Sequence, residues 1–205
     1  MLEFDHIAVV APSLEAGKTF VRERLGVDVP DGGAHPLMGT HNCLMKLGQD
    51  EFFEIIAIDP DAPDPGRSRW FGLDNLGDGP IRVGNWICRT EDVDRAIDTV
   101  EAETGPAIAM TRGDLNWRIT VPEDGSLPYG GGVPTLLEWP ERPFPGSRMP
   151  DLGCALERLT IRHPEAARIE AMLEGKLTDP RIVFETGETV ALKAAIRTPD
   201  GVREI

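Results

Sequence analysis

The feature that most limits what this chain can become is an order of elements that recurs along it. Phe4 to Val10 is a short apolar, β-branched run, the pattern of a strand. Ala11-Pro12 breaks it, and Ser13 stands where a helix N-cap belongs. Leu14 to Leu25 follows at helical spacing and is closed by Gly26. The stretch Pro30-Asp31-Gly32-Gly33-Ala34-His35-Pro36 reads as a loop, with room for a short strand near Val27 to Val29. Strands over Asn42 to Leu47 and Phe52 to Ile58 complete the unit.

The same order then returns. Val83 to Arg89 predicts a strand, and Thr90 or Asp92 caps a helix running to about Glu103. Strands follow over Ala107 to Met110, Asn116 to Val121 and Pro134 to Trp139. Laid over each other, the two units set His6 opposite Asn85, Asn42 opposite Asn116 and Glu54 opposite Glu138. A third pass follows the proline-rich connector Pro140 to Pro145, with strands at Leu156 to Arg162, Arg181 to Glu185 and Val190 to Arg197, and a last one starting at Val202. There Glu204 falls at the place of Glu54 and Glu138, but Arg158 replaces the histidine, so the third unit reads as structural. The expected fold is α+β: paired βαβββ modules over residues 1–60 and 81–140 form a curved mixed sheet around a cleft. Residues 141–205 add a partial βαββ extension packed on the same domain.

Composition narrows the partners. The formal net charge of −14 repels phosphate backbones and anionic lipid, which argues against nucleic-acid and membrane partners. No stretch approaches the roughly 20 apolar residues of a membrane span, and Met1 to Asp5 lacks the pattern of a signal peptide. Cys43, Cys88 and Cys154 are isolated in apolar sequence and read as reduced core residues, which suits a cytoplasmic setting. There is no phosphate-binding glycine loop followed by Lys-Ser/Thr, no nucleophile elbow and no dinucleotide fingerprint, so no nucleotide cofactor is expected.

Three ionisable residues stand out against their surroundings. Glu54 interrupts Phe52-Phe53-Glu54-Ile55-Ile56-Ala57-Ile58, a run apolar on both faces, where a carboxylate is costly unless paired or bound to metal. Glu138 makes the same argument within Pro134 to Trp139. His6 shares a strand face with Phe4 and Ala8 and needs a partner there; a core histidine bonded to a neighbour is the plainer account of it.

The set Asp5-His6-Ile7-Ala8-Val9-Val10, His35-Pro36 to Gly39-Thr40-His41-Asn42, Phe53-Glu54-Ile55-Ile56 and Leu136-Leu137-Glu138-Trp139 resembles the glyoxalase-like domains of the vicinal-oxygen-chelate superfamily. The resemblance spans almost the whole chain, the C-terminal part most weakly. It implies that the first and last strands of each module supply metal ligands, which maps onto His6, Glu54, Asn85 and Glu138. A divalent metal (manganese, iron, zinc or magnesium) held by His6, Glu54 and Glu138 would serve lyase, isomerase or dioxygenase chemistry on a small oxygenated molecule. Asn85 departs from that pattern, because an amide oxygen is a feeble ligand. Without metal, His6, Glu54 and Glu138 become the proton-transfer and hydrogen-bonding set and His41 a second acid/base, with Asn42, Asn116, Trp117 and Asn85 as substrate contacts. A protein that binds a small molecule without turnover is the alternative.

Lesser candidates each carry a duller account. His41 reads equally well as an exposed turn residue, and Asn42 and Asn116 as caps of strand ends. Arg82, Arg112 and Arg118 could meet a substrate carboxylate or be ordinary surface arginines. His35 reads as part of a lid loop, Trp86 as core or pocket wall, and His163 as structural. A homodimer is a further expectation, since the unpaired third unit leaves a sheet edge to cover.

Overall fold

The computed structural model describes residues 1–77 and 79–205, and it is α+β. Its first unit runs β1 (Glu3–Val10), α1 (Leu14–Leu25), β2 (Asp31–His35), β3 (Thr40–Lys46) and β4 (Phe52–Ile58). The second runs β5 (Arg82–Arg89), α2 (Val93–Thr99), β6 (Ala107–Arg112), β7 (Leu115–Thr120) and β8 (Thr135–Glu138). The eight strands of the two units form one sheet in the order β2-β3-β4-β1-β5-β8-β7-β6, with α1 and α2 packed on it. In each unit the first strand lies parallel to the last, and β1 and β5 join the units antiparallel at the centre. The sheet curls until its end strands, β2 and β6, meet.

Local chemistry explains the boundaries. The Ser13 side chain accepts from the Ala16 N–H at the start of α1, and Gly26 ends it at φ 73°, a left-handed cap that glycine adopts without strain. Asp92 caps α2 through the Arg95 N–H. That helix stops at Thr99, short of the predicted Glu103, because Val100 is extended. The segment predicted as a loop holds β2 instead, while Val27 to Val29 is not a strand. Its glycines fit an irregular edge: the register slips between Asp31 and Ala34, and a Cβ on Gly32 would lie 2.3 Å from Asn42 Oδ1.

The large sheet is covered on both faces. On one, Ile7, Val9, Phe53, Ile55, Trp86 and Cys88 pack against α1, α2 and the C-terminal unit. On the other, Ala8, Val10, Ile56, Ile87 and Leu137 face Trp70, Phe71, Met110 and Trp117 across the curl. Full burial of one such side chain contributes about 1.5–3 kcal/mol.

The C-terminal unit has β9 (Ala155–His163), α3 (Ala166–Leu173), β10 (Ile182–Thr186), β11 (Ala191–Thr198) and β12 (Gly201–Glu204). Its four strands are ordered β10-β9-β11-β12, and β9 lies parallel to β10, not to the last strand. The wiring therefore differs from that of the first two units. Glu204 sits exposed on the marginal strand, away from β9, and does not correspond to Glu54. Among the described residues no helix is long and apolar enough to cross a membrane.

Candidate functional site

A cavity opens on the concave face of the large sheet, its polar side built mainly by the first unit. The construction starts with an irregularity. Phe4 faces Cys88 and His6 faces Ile87, so Asp5 is an extra residue without a cross-strand partner. A bulge of this kind re-aims a side chain. Here Asp5 Oδ1 meets His6 Nδ1 at 2.7 Å, while Asp5 Oδ2 accepts from Trp139 Nε1 at 3.0 Å and lies 3.5 Å from Arg89 Nη1. Asp5 is fully buried, and its carboxylate fixes the Nδ1–H tautomer of the imidazole.

His6 is stacked on Phe52, with ring centroids 4.0 Å apart. That stacking and the Asp5 bond leave Nε2 aimed at Glu54 Oε2, 3.8 Å away. The other oxygen of Glu54 accepts from Asn42 Nδ2 at 2.7 Å. Asn42 in turn accepts at Oδ1 from the Gly33 N–H (2.9 Å) and from Arg112 Nη1 (3.2 Å), which settles its amide orientation. The missing Cβ of Gly32 makes room for that oxygen.

His35 is a wall of this cavity and not part of a lid: it is buried at the end of β2. Burial, and then the charge of Arg112, push its pKa down to about 3. The neutral ring donates from Nδ1 to Thr40 Oγ1 (3.1 Å) and presents Nε2 to Arg112 Nη1 at 3.3 Å. Arg112 thus enters the cavity among neutral groups. Among the described residues it has no carboxylate within ion-pair distance. Trp70, Phe71, Trp117, Leu137 and Trp139 supply the apolar walls. Phe71 stands at φ 60°, a strained conformation for a bulky residue, and stacks on Trp70.

Of the residues singled out in the sequence, His6, Glu54, Asn42, Trp117 and Arg112 line the cavity. Glu138 does not: its carboxylate accepts from the Val93 N–H at 2.8 Å, at the start of α2 on the opposite face, with Arg118 Nη1 3.9 Å away. Asn116 is exposed and bonds the Asp114 carbonyl. His41 lies 4.0 Å from Asp59 outside the cavity lining, and Trp86 is buried in the core on the far face. Arg118 pairs with Asp94, and Arg82 bonds a loop carbonyl.

The register shows where the alignment of the units went astray. The helix caps Ser13 and Asp92 each lie seven residues beyond His6 and Asn85, so those two positions do correspond. Ala8, two residues after His6, pairs with Glu54; Ile87, two residues after Asn85, pairs with Thr135. Thr135, not Glu138, is therefore the counterpart of Glu54, and by the pairing Ile119↔Leu137 the counterpart of Asn42 is Ile119, not Asn116. The hairpin is displaced by three residues from the sequence alignment. Asn85 Nδ2 donates to Thr135 Oγ1 at 2.9 Å, and its oxygen takes the Trp86 N–H.

These donors do not fit a divalent metal. Two ligands, His6 and Glu54, face each other, Asn85 is occupied at both ends, and Glu138 is turned away. Among the described residues no three His, Cys, Asp or Glu side chains converge. The polar residues the sequence reading missed are Asp5, whose bulge strand alternation cannot foresee, and the placement of His35; Trp70, Phe71, Pro145 and Met149 come from connecting segments without periodic signal.

A hypothetical protein from Staphylococcus aureus superposes with TM-score 0.65 at 14% identity, over 97% of this chain and 92% of the other. Methylmalonyl-CoA epimerase in complex with methylmalonyl-CoA and ammonium gives 0.45 at 16% identity, over 71% and 99%. The epimerase from Mycobacterium tuberculosis gives 0.43 at 17%, over 68% and 88%. No curated protein matches the chain. The family model described as a glyoxalase-like domain matches residues 4–177, and on that extent the chain belongs to the glyoxalase-like family of the vicinal-oxygen-chelate superfamily.

Proposed function

We propose that the cavity is the active site of an enzyme that moves a proton on a small oxygenated organic acid, an isomerase- or lyase-type reaction. One observation carries this reading: a buried Asp5–His6 pair presents a free imidazole nitrogen to Glu54 across a 3.8 Å gap inside an apolar pocket. Asp5 holds the ring so that the Nε2 lone pair faces the gap, and Asn42 holds Glu54 so that Oε2 faces the same point. A substrate carbon seated beside that gap can lose a proton to one of the two bases, and the conjugate acid so formed can return the same proton to another face or atom of the substrate, so that no proton is gained or lost overall. Negative charge that grows on the substrate oxygen during that step is met by Arg112, whose partners are neutral and leave its charge uncompensated. The neutral His35 adds no competing positive charge. The aromatic walls exclude water and strengthen each of these interactions.

The test is solvent-isotope exchange. Small 2-oxo and 2-hydroxy acids incubated with the protein in D₂O are followed by proton NMR for loss of the hydrogen on the carbon beside the carbonyl or carboxylate. Wild type is expected to exchange at least one of them. Glu54→Gln and His6→Gln should each lower the rate by about 10²–10⁴-fold with an unchanged melting temperature. Exchange that survives both substitutions, or is absent from wild type across the panel, sinks the reading. A ligand-binding role without turnover is favoured by the aromatic walls alone, and it predicts saturable tryptophan fluorescence changes without exchange.

A further inference from the structure

The cavity is not a single chamber. Its inner part, against His6, Glu54 and Arg112, holds about 40 Å³, room for roughly three water-sized groups, the size of a carboxylate. Beyond it lies a half-open chamber of about 250 Å³. Leu44, Leu115, Pro145 and Met149 line both, so the two adjoin across an apolar neck. Pro145 and Met149 belong to the connector between the two sheets, which is anchored where the Lys46 N–H donates to the Pro150 carbonyl at 2.9 Å. On the outer rim Arg148 Nη1 stands 3.8 Å from Asp114 Oδ2 and Asp31 is paired with Lys18, so the charges there are answered within the protein and ask for no charged ligand group.

We infer that the ligand is a two-part molecule: an aliphatic oxo acid whose carboxylate end enters the inner chamber beside Arg112 while an uncharged hydrocarbon tail of several carbons passes the neck into the outer one. The uncompensated guanidinium selects the anionic end, and the four apolar side chains select the tail. An acid of three carbons fills the inner chamber alone and leaves the outer one to water. The inference rests on the proton-transfer reading for the position of the head and adds the class of substrate to it.

The experiment titrates the whole protein with straight-chain 2-oxo acids of three to eight carbons, reading the fluorescence of the wall tryptophans. Affinity should rise about three- to fourfold per methylene once the chain passes the neck, the increment expected for burying a CH₂ group. Leu115→Ser and Met149→Ser, each half-buried in the native chain, should flatten the rise per methylene, read as the ratio between successive acids so that any change at the three-carbon end cancels; the pair guards against one variant failing to fold. Arg112→Gln should weaken every member by the same factor. A flat series in wild type overturns the two-chamber ligand yet leaves the proton-transfer site standing, because isotope exchange on the three-carbon acid reads that site alone. If no acid binds, or if Arg112→Gln changes nothing, both fall.

Discussion

The two halves of the large sheet share a backbone plan and differ in what it carries. At matching places the first half holds His6, Glu54 and Asn42, and the second holds Asn85, Thr135 and Ile119. In the first, a buried imidazole and carboxylate face each other across 3.8 Å, each with an acceptor atom turned to the gap. In the second, the equivalent side chains are neutral and spend their hydrogen bonds on each other at 2.9 Å. The second half contributes to the cavity through Arg112 and the rings of Trp117 and Trp139 instead. On the proposed reading one half handles protons, and the other supplies charge and walls. Internal duplication supplies two copies of a scaffold, and the chemistry of a position follows its side chain and not its place in the repeat.

The comparison can be pressed first by making the second half a copy of the first. Asn85→His together with Thr135→Glu adds two ligands opposite His6 and Glu54. The double variant should take up near-stoichiometric zinc or manganese, measured by elemental mass spectrometry. At a hundredfold excess over Kd the metal should stabilise it by about 2.7 kcal/mol, with no shift for wild type. A double variant that stays metal-free would show that the two pairs do not face one site, and the register equivalence of the two halves would fail.

A second test uses pH. His35 has its pKa lowered to about 3 from an ordinary 6.5, so between those values the unfolded chain binds a proton that the folded chain does not. Stability should therefore fall as pH drops from about 6.5 toward 3, with His35 contributing about 1.4 kcal/mol per pH unit. Denaturant unfolding of wild type against His35→Gln isolates this share: the difference in slope should vanish above pH 7. A second half without a buried histidine offers no such term, and equal slopes in the two proteins would mean that His35 is not held neutral.

The smallest effect belongs to Glu138. Its carboxylate sits at the amino end of α2 and not in the cavity, so Glu138→Gln should cost no more than about 1 kcal/mol and leave isotope exchange unchanged. A loss of exchange comparable to that of Glu54→Gln would return Glu138 to the site.

How much of this was legible in the chain differs by residue. The strand at Phe4 to Val10, the capped helix from Ser13 to Gly26 and the isolated acid Glu54 were readable because each is a local pattern. Asp5 was not, since period-two alternation assigns it the face opposite His6 and a bulge leaves no mark in the sequence. His35 was hidden by Gly32 and Gly33, which signal a turn although here they accommodate Asn42 in an edge strand. Glu138 was misread because aligning two acids is easier than counting strand register, and the register puts Thr135 there. The third unit reproduced the order of elements but not their pairing, a property of tertiary contacts that element order does not encode.

The connector around Pro145 and Met149 has a consequence for how such a protein changes over generations. It belongs to neither sheet, yet it frames the doorway of the cavity. Insertions or substitutions there alter what can enter without disturbing the strands that carry Asp5, His6 and Glu54. Descendants of one ancestral chain can then diverge in what they admit while inheriting the same polar floor, and a mutational scan of the connector would chart that freedom directly.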